Sequence, residues 1–162
     1  MKIAPVISQR IPHTTIILNN TDYNNNYSTD VNMNKIKAIL HNKALYTLLN
    51  NNYSYDMIVI DQFVNPRKYY EYLSNAKYTV RNINFTTKAE DKCLSVACSS
   101  IISRYIFINE MKKLSNELNI NIPFGASTEA DKTGELIVSK YGKDKLKEVA
   151  KLNFKNTSKI IK

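Results

Sequence analysis

Glycine, cysteine and tryptophan are scarce in this sequence, with three glycines, two cysteines and no tryptophan among 162 residues. So few glycines exclude a glycine-rich phosphate loop and a dinucleotide-binding fingerprint. Cys93 and Cys98 are five positions apart and have no second pair, which excludes a disulfide framework and a zinc site built from cysteine alone. No apolar run approaches the ~18 residues of a membrane-spanning helix. The sequence therefore predicts a soluble, cytosolic domain with no membrane-spanning segment.

Basic residues are in excess, because 23 lysines and arginines face 14 acidic residues and leave a formal charge of +9. A charge of this size indicates an anionic partner, with nucleic acid the first candidate and an anionic membrane surface the second. Asparagine is also frequent, as in residues 24–26 and 50–52. A composition rich in Lys, Asn and Ile is also typical of genome-wide codon bias, so composition alone gives nucleic-acid binding even odds.

Strand-like and helix-like segments alternate along the chain. The pattern predicts strands at residues 14–18, 57–60 and 80–85, and helices at residues 33 to about 50, 65–73, 94–118, 128–140 and 144–152. It predicts a loop at residues 22–30 and a basic tail at 153–162 that frays at its end. Alternation of this kind favours an α/β fold with a mostly parallel sheet flanked by helices. Three strands would leave one apolar sheet edge bare, so the architecture looks incomplete.

Two carboxylates follow neighbouring strands of the predicted sheet. Asp61 comes directly after the apolar residues 57–60, and Glu90 follows the third strand. Sites in α/β sheets lie at the carboxyl ends of strands, so the two side chains are expected to converge. Paired carboxylates without thiols or imidazoles suit the hard cations Mg²⁺ and Mn²⁺.

Each carboxylate also has a purely structural interpretation. Asp61 could open a turn or cap a helix, and Thr87 with Glu90 fits a capping box at the start of the long helix. The two histidines, His13 and His41, are interpreted as structural. The tyrosines at positions 69, 70 and 72 are interpreted as packing residues, with stacking on bases as the second interpretation.

Five segments, taken in order and with their spacing, resemble ribonuclease HIII over nearly the whole chain. They are NMNKIKAILHNKAL (residues 32–45), IVIDQF (58–63), FTTKAEDKCLSVACSSIISR (85–104), IPFGAS (122–127) and KLNFKNTSK (151–159). The resemblance implies a ribonuclease H-like fold and an endonuclease that cuts the RNA strand of an RNA/DNA hybrid. It also implies a two-metal mechanism that uses Mg²⁺, with Mn²⁺ as a substitute.

The resemblance also assigns roles to individual residues. The family holds its metal ions with four carboxylates, of which Asp61 matches the third and Glu90 the fourth. Each carboxylate would fix the position of a metal ion and would not itself transfer a proton. Lys88 lies in the same motif as Glu90 and would contact a substrate phosphate, although a solvated lysine explains it equally well.

One departure from the family pattern concerns its first two carboxylates, an adjacent Asp-Glu pair on the first strand, for which no match precedes Asp61. Residues 1–162 are therefore interpreted as the C-terminal half of the protein. This half would be a partial ribonuclease H-like catalytic domain without the first strands and without the family's N-terminal substrate-binding domain. The expected partners are the hybrid and a missing upstream segment. One alternative is a non-catalytic fragment that binds nucleic acid weakly or needs a complementary chain, and another is a generic basic α/β module.

Overall fold

The computed structural model describes residues 2–160 as a helix-rich chain with a small parallel sheet. Its helices are α1 (Ile3–Arg10), α2 (Asn20–Asn26), α3 (Met33–Leu49), α4 (Pro66–Tyr72), α5 (Leu94–Leu118), α6 (Thr128–Tyr141), α7 (Leu146–Val149) and α8 (Lys155–Ile160). Its strands are β1 (Ile58–Asp61) and β2 (Ile83–Thr86), and 3₁₀ turns cover Ala89–Asp91 and Lys143–Lys145. No helix in residues 2–160 combines the length and the apolar character that crossing a bilayer requires.

The sheet confirms a parallel pairing of the second and third predicted strands. Ile58 lies opposite Ile83, and the register continues to Asp61 opposite Thr86. The pairing extends one bond further, because the Gln62 amide donates to the Thr86 carbonyl at 3.0 Å. The carboxyl ends of both strands therefore lie side by side at one end of the sheet.

The first predicted strand, at residues 14–18, is wrong. These residues have no strand partner within the described part of the chain, and Ile17 is 56% exposed. A β-branched run favours extended backbone, but a strand also needs a neighbour that accepts and donates its backbone hydrogen bonds. Without that neighbour, the sheet in residues 2–160 has two strands and not the three expected.

The main helices are confirmed, because α3, α4, α5 and α6 occupy the predicted segments within a residue or two. Side chains cap three of them at the N-terminus. Asn32, Asn65 and Ser127 accept hydrogen bonds from backbone amides in the first turns of α3, α4 and α6. Such caps satisfy amides that the helix itself leaves unpaired.

Three predictions near the chain ends are corrected. The loop at 22–30 begins with α2, because Asn19 caps that helix by accepting from the Asp22 amide at 2.7 Å. The helix at 144–152 is a 3₁₀ turn followed by α7, which ends at Val149, where the backbone of Ala150 is extended. The tail forms α8 as far as Ile160, and the last two residues of the predicted fraying tail lie outside the described residues. The helix α1 was not predicted.

Unit 1, one of two compact units, consists of residues 2–16 and 31–106. Its core joins α3, β1 and α4 through Ala38, Ile60, Tyr69 and Leu73, all of which are almost fully buried. Burial of a side chain of the size of Ile60 or Leu73 contributes ~1.5–3 kcal/mol. The buried apolar cluster holds β1 against α4 and so fixes the strand end that carries Asp61.

Unit 2 consists of residues 17–30 and 107–160, and its core includes the buried residues Tyr23, Ile137 and Leu146. The Tyr23 hydroxyl donates to Asn153 Oδ1 at 3.1 Å, and the Asn24 amide group donates to the Lys147 and Ala150 carbonyls at 2.9 and 2.8 Å. These bonds join α2 to α7 and to the segment after it. The helix α5 contributes residues to both units.

Candidate functional site

Asp61 is the last residue of β1 and lies at the carboxyl end of the two-stranded sheet. Its side chain is exposed, whereas Ile60 immediately before it is 3% exposed. Strand alternation explains the contrast, because successive side chains point to opposite faces. The buried Ile60 anchors the strand, and Asp61 is exposed to solvent at the carboxyl end of the sheet.

The segment after β2 turns sharply through a left-handed residue. Lys88 has φ 52° and ψ 48°, a conformation that non-glycine residues adopt rarely and at an energetic cost. The 3₁₀ turn Ala89–Asp91 follows, and the Lys92 ammonium donates to the Thr87 carbonyl at 3.0 Å across it. This turn carries Glu90 at its centre.

A hydrogen bond joins the two carboxylate-bearing segments. The backbone amide of Ala89, a fully buried residue, donates to Asp61 Oδ1 at 3.0 Å. A buried amide without a partner is costly, so this bond fixes the start of the 3₁₀ turn against the end of β1. Glu90 therefore directly follows the residue whose backbone amide contacts Asp61.

The structural interpretations of the two acidic residues have different outcomes. Asp61 does cap a turn, because its Oδ1 accepts from the Ala89 amide at the start of the turn of residues 89–91. That turn lies elsewhere in the chain and is not one that Asp61 itself begins. The capping box of Thr87 and Glu90 is wrong, because α5 begins only at Leu94 and the left-handed Lys88 interrupts any continuous helix between them.

Asp61 Oδ2, Glu90 and Lys88 are all available for binding. Asp61 uses only Oδ1 in its capping bond, and within residues 2–160 its Oδ2 has no hydrogen-bond partner. Glu90 and Lys88 are exposed and form no hydrogen bond or salt bridge with the described residues. No group of three His, Cys, Asp or Glu side chains is assembled in this part of the chain. Asp61 at the end of β1 and Glu90 on the 3₁₀ turn both carry carboxylate oxygens, the ligand type that hard divalent cations prefer.

His41 is a neighbour of this site that the sequence did not indicate. Its ring lies 5.2 Å from the ring of Phe63, and the Lys37 ammonium lies 4.6 Å from the centre of that same Phe63 ring. Burial lowers the pKa of His41, the charge of Lys37 lowers it further, and the carboxylate of Asp61 acts in the opposite direction. Helical spacing places His41 one turn after Lys37, but only the fold brings Phe63 and Asp61 to the same place.

The lowered pKa of His41 predicts that the folded chain loses stability in mild acid. The unfolded chain binds the proton more tightly, so the stabilisation is complete above pH ~6.5 and declines as the pH falls from there toward the folded-state pKa. Urea unfolding between about pH 7.5 and 5 should show this decline, and His41→Gln should flatten it. His13→Gln is the matched control, since His13 is exposed, and a decline that survives in His41→Gln would contradict the assignment.

Comparison with known proteins matches the chain to one family. The family model for ribonuclease HII matches residues 1–157. The ribonuclease HIII of Phytoplasma mali is 40% identical over 159 residues, which cover 98% of this chain and 55% of that protein. The ribonuclease HIII of Lactococcus lactis subsp. lactis is 39% identical over 163 residues, covering 99% and 56%. The chain thus spans about half the length of the curated relatives it matches.

Two solved structures share the fold. A mutant form of Bst-RNase HIII superposes with a TM-score of 0.95 at 35% identity, covering 99% of this chain and 53% of that one. Bst-RNase HIII in complex with Mn²⁺ gives a TM-score of 0.94 at the same identity and the same coverage. Sequence and structure agree over nearly all of the chain, which confirms the resemblance drawn from its motifs, and the chain belongs to the ribonuclease HII family.

Proposed function

We propose that this chain is part of a ribonuclease H-type endonuclease that hydrolyses the RNA strand of RNA/DNA hybrids with a divalent metal ion. Asp61 and Glu90 would hold the metal, and Lys88 would contact a phosphate of the substrate. The observation that carries the proposal is the bond from the Ala89 amide to Asp61 Oδ1, because it fixes both acidic segments at one sheet edge. Family membership and the Mn²⁺ complex of Bst-RNase HIII support the same chemistry.

The two carboxylates and Lys88 would have different roles. Asp61 Oδ2, at the end of β1, and the Glu90 carboxylate, on the 3₁₀ turn, would supply negative charge and hard oxygen ligands. When bound, divalent ions in such a site activate water and stabilise the leaving oxygen of a phosphodiester. Lys88 offers an exposed ammonium beside the carboxylates and would attract the phosphate as a point charge. The proposed metal is Mg²⁺, with Mn²⁺ as its substitute.

The charge distribution supports a nucleic-acid substrate. Residues 2–16 and 31–106, which form unit 1, contain 12 lysines and arginines against 5 acidic residues, a net charge of +7. Most of the excess charge of +9 therefore lies in the unit that carries Asp61 and Glu90. A basic surface of this kind binds phosphates and makes affinity fall steeply as salt rises.

Titration with Mn²⁺, followed by electron paramagnetic resonance of the free ion, tests the metal assignment. Asp61→Asn and Glu90→Gln should each weaken binding by at least about tenfold, as loss of a ligand or of its support usually does. Asp91→Asn is the matched control, because Asp91 is an exposed carboxylate in the same 3₁₀ turn. If Asp91→Asn weakened binding as much as Glu90→Gln, the ion would be held by diffuse charge and the assignment would fail.

A second candidate function rests on the number of ligands. Since no third His, Cys, Asp or Glu side chain joins Asp61 and Glu90 within residues 2–160, this chain alone would hold metal weakly. It would then bind nucleic acid without cutting it, or it would cut only beside a complementary chain. Cleavage by the chain alone and by the chain with such a complement separates the two candidates.

A further inference from the structure

We propose that a groove at the amino end of the sheet binds an unpaired strand of nucleic acid, at a place separate from the carboxylate site. The groove, called here the amino-end groove, has a volume of about 540 Å³ and is open to solvent. Ile58, the first residue of β1, lines it, whereas Asp61 ends the same strand. Its lining also includes Tyr46, Tyr55, Lys77, Tyr78 and Arg81.

The wall of the groove is rigid although it contains little regular secondary structure. Asn42 is 6% exposed, and its side chain donates to the Tyr78 carbonyl at 2.8 Å and accepts from the Val80 amide at 2.9 Å. This pair of bonds fixes the segment before β2 to α3. The rings of Tyr46 and Tyr78 stack with centroids 4.6 Å apart and planes inclined by 10°. A wall held in this way does not have to order itself when a ligand binds.

The groove is basic, and none of the described residues that line it is acidic. The Lys77 ammonium lies 5.2 Å from the centre of the Tyr78 ring, and the Arg81 guanidinium lies 4.7 Å from that of Tyr70. Neither cation forms a salt bridge with the described residues, so both charges can pair with phosphates. Because unit 1 has a net charge of +7, the field around the groove also favours a polyanion.

An exposed aromatic ring beside these charges points to a base. Tyr55 is 61% exposed and makes no ring contact with another aromatic residue in the described chain, and Tyr78 is 48% exposed. Aromatic rings beside cations are the combination with which proteins bind single strands, because bases stack on the rings while the cations follow the backbone. The faces of paired bases are covered in a duplex, so the ligand is an unpaired strand.

A single tryptophan introduced at the groove gives a local test, because the chain has none of its own. Tyr55→Trp should keep the affinity for a fluorescein-labelled oligothymidylate, and the tryptophan emission should be quenched on binding by stacking. Tyr53→Trp is the matched control, since Tyr53 is 49% exposed nearby but does not line the groove. Measurements in EDTA keep the outcome independent of the proposed metal site and of cleavage. Equal quenching in the two variants would overturn the proposal.

Charge substitutions test the phosphate contacts. Lys77→Gln combined with Arg81→Gln should weaken binding by about tenfold and reduce the slope of log affinity against log salt by about 1.4. Lys112→Gln combined with Lys132→Gln removes the same charge from exposed positions in unit 2 and should change affinity by less than about threefold. Equal losses in the two double variants would mean that binding is diffuse and would overturn the site.

Removal of the aromatic surface completes the test. Tyr55→Ser should lower affinity by about 5- to 150-fold, the loss that follows when one stacked base is released. Since Tyr55 is largely exposed, its loss should leave the circular dichroism spectrum unchanged. Thymidine monophosphate should displace the labelled oligothymidylate only at concentrations far above those at which an unlabelled strand does so. Displacement at the same concentrations would show that the groove binds a single nucleotide and not a strand.

Discussion

With Mg²⁺ and an RNA/DNA hybrid, the 162-residue chain alone is expected to cleave at least about 1,000-fold more slowly than the full-length ribonuclease HIII of Lactococcus lactis. The physical reason is the ligand count, because the described residues bring no third His, Cys, Asp or Glu to Asp61 and Glu90. Ligands of one metal site act together, so the loss of any one costs most of the rate. Denaturing gels of a hybrid labelled on its RNA strand measure the rate directly.

Cleavage should return when the chain is combined with the part of a full-length relative that it does not match. The complement is the 44% of the Lactococcus lactis protein that this chain does not match, joined to the chain or added as a second polypeptide. Restored activity should then disappear with Glu90→Gln and persist with Asp91→Asn. Fast metal-dependent cleavage by the unsupplemented chain would show that two carboxylates suffice and would contradict the argument from ligand number.

The sequence predicted those parts of the fold that depend on local patterns. The helix α5, the strand that leads to Asp61 and the helix start at Pro66 all lie where the pattern placed them. Each is marked by the spacing of apolar residues or by a residue with one strong backbone preference. The strand predicted at 14–18 failed because strand formation depends on a partner elsewhere in the chain, which local propensity does not report.

The sequence predicted where Asp61 and Glu90 lie in the fold, but it did not predict the contacts around them. The order of strands placed Asp61 and Glu90 at one edge, and the parallel register confirms that their strands end there together. The left-handed Lys88 carries no sequence signal, because lysine does not favour that conformation. The capping of Ala89 by Asp61 joins residues 28 positions apart, so only the folded chain shows it.

Asp61 accepts the hydrogen bond from the Ala89 amide and is proposed to hold a metal ion, and two substitutions should separate these two roles. Asp61→Asn keeps a side-chain carbonyl at Oδ1 that accepts from the Ala89 amide, while it removes the negative charge that would hold the proposed cation. Asp61→Ala removes both. In the complemented enzyme, each variant should lose cleavage to the limit of detection, because both variants lack the proposed metal ligand.

Amide hydrogen exchange at Ala89 should distinguish the two variants. Asp61→Asn should leave its protection close to that of the unsubstituted chain. Asp61→Ala leaves a buried amide unpaired, at a cost of about 1–3 kcal/mol, so exchange in residues 88–91 should accelerate by about 5- to 150-fold. Because Lys88 has a strained backbone, the turn has little stability of its own with which to absorb that cost. Equal protection in Asp61→Ala would show that the Ala89 bond does not hold the turn, and the order of Glu90 would then need another source.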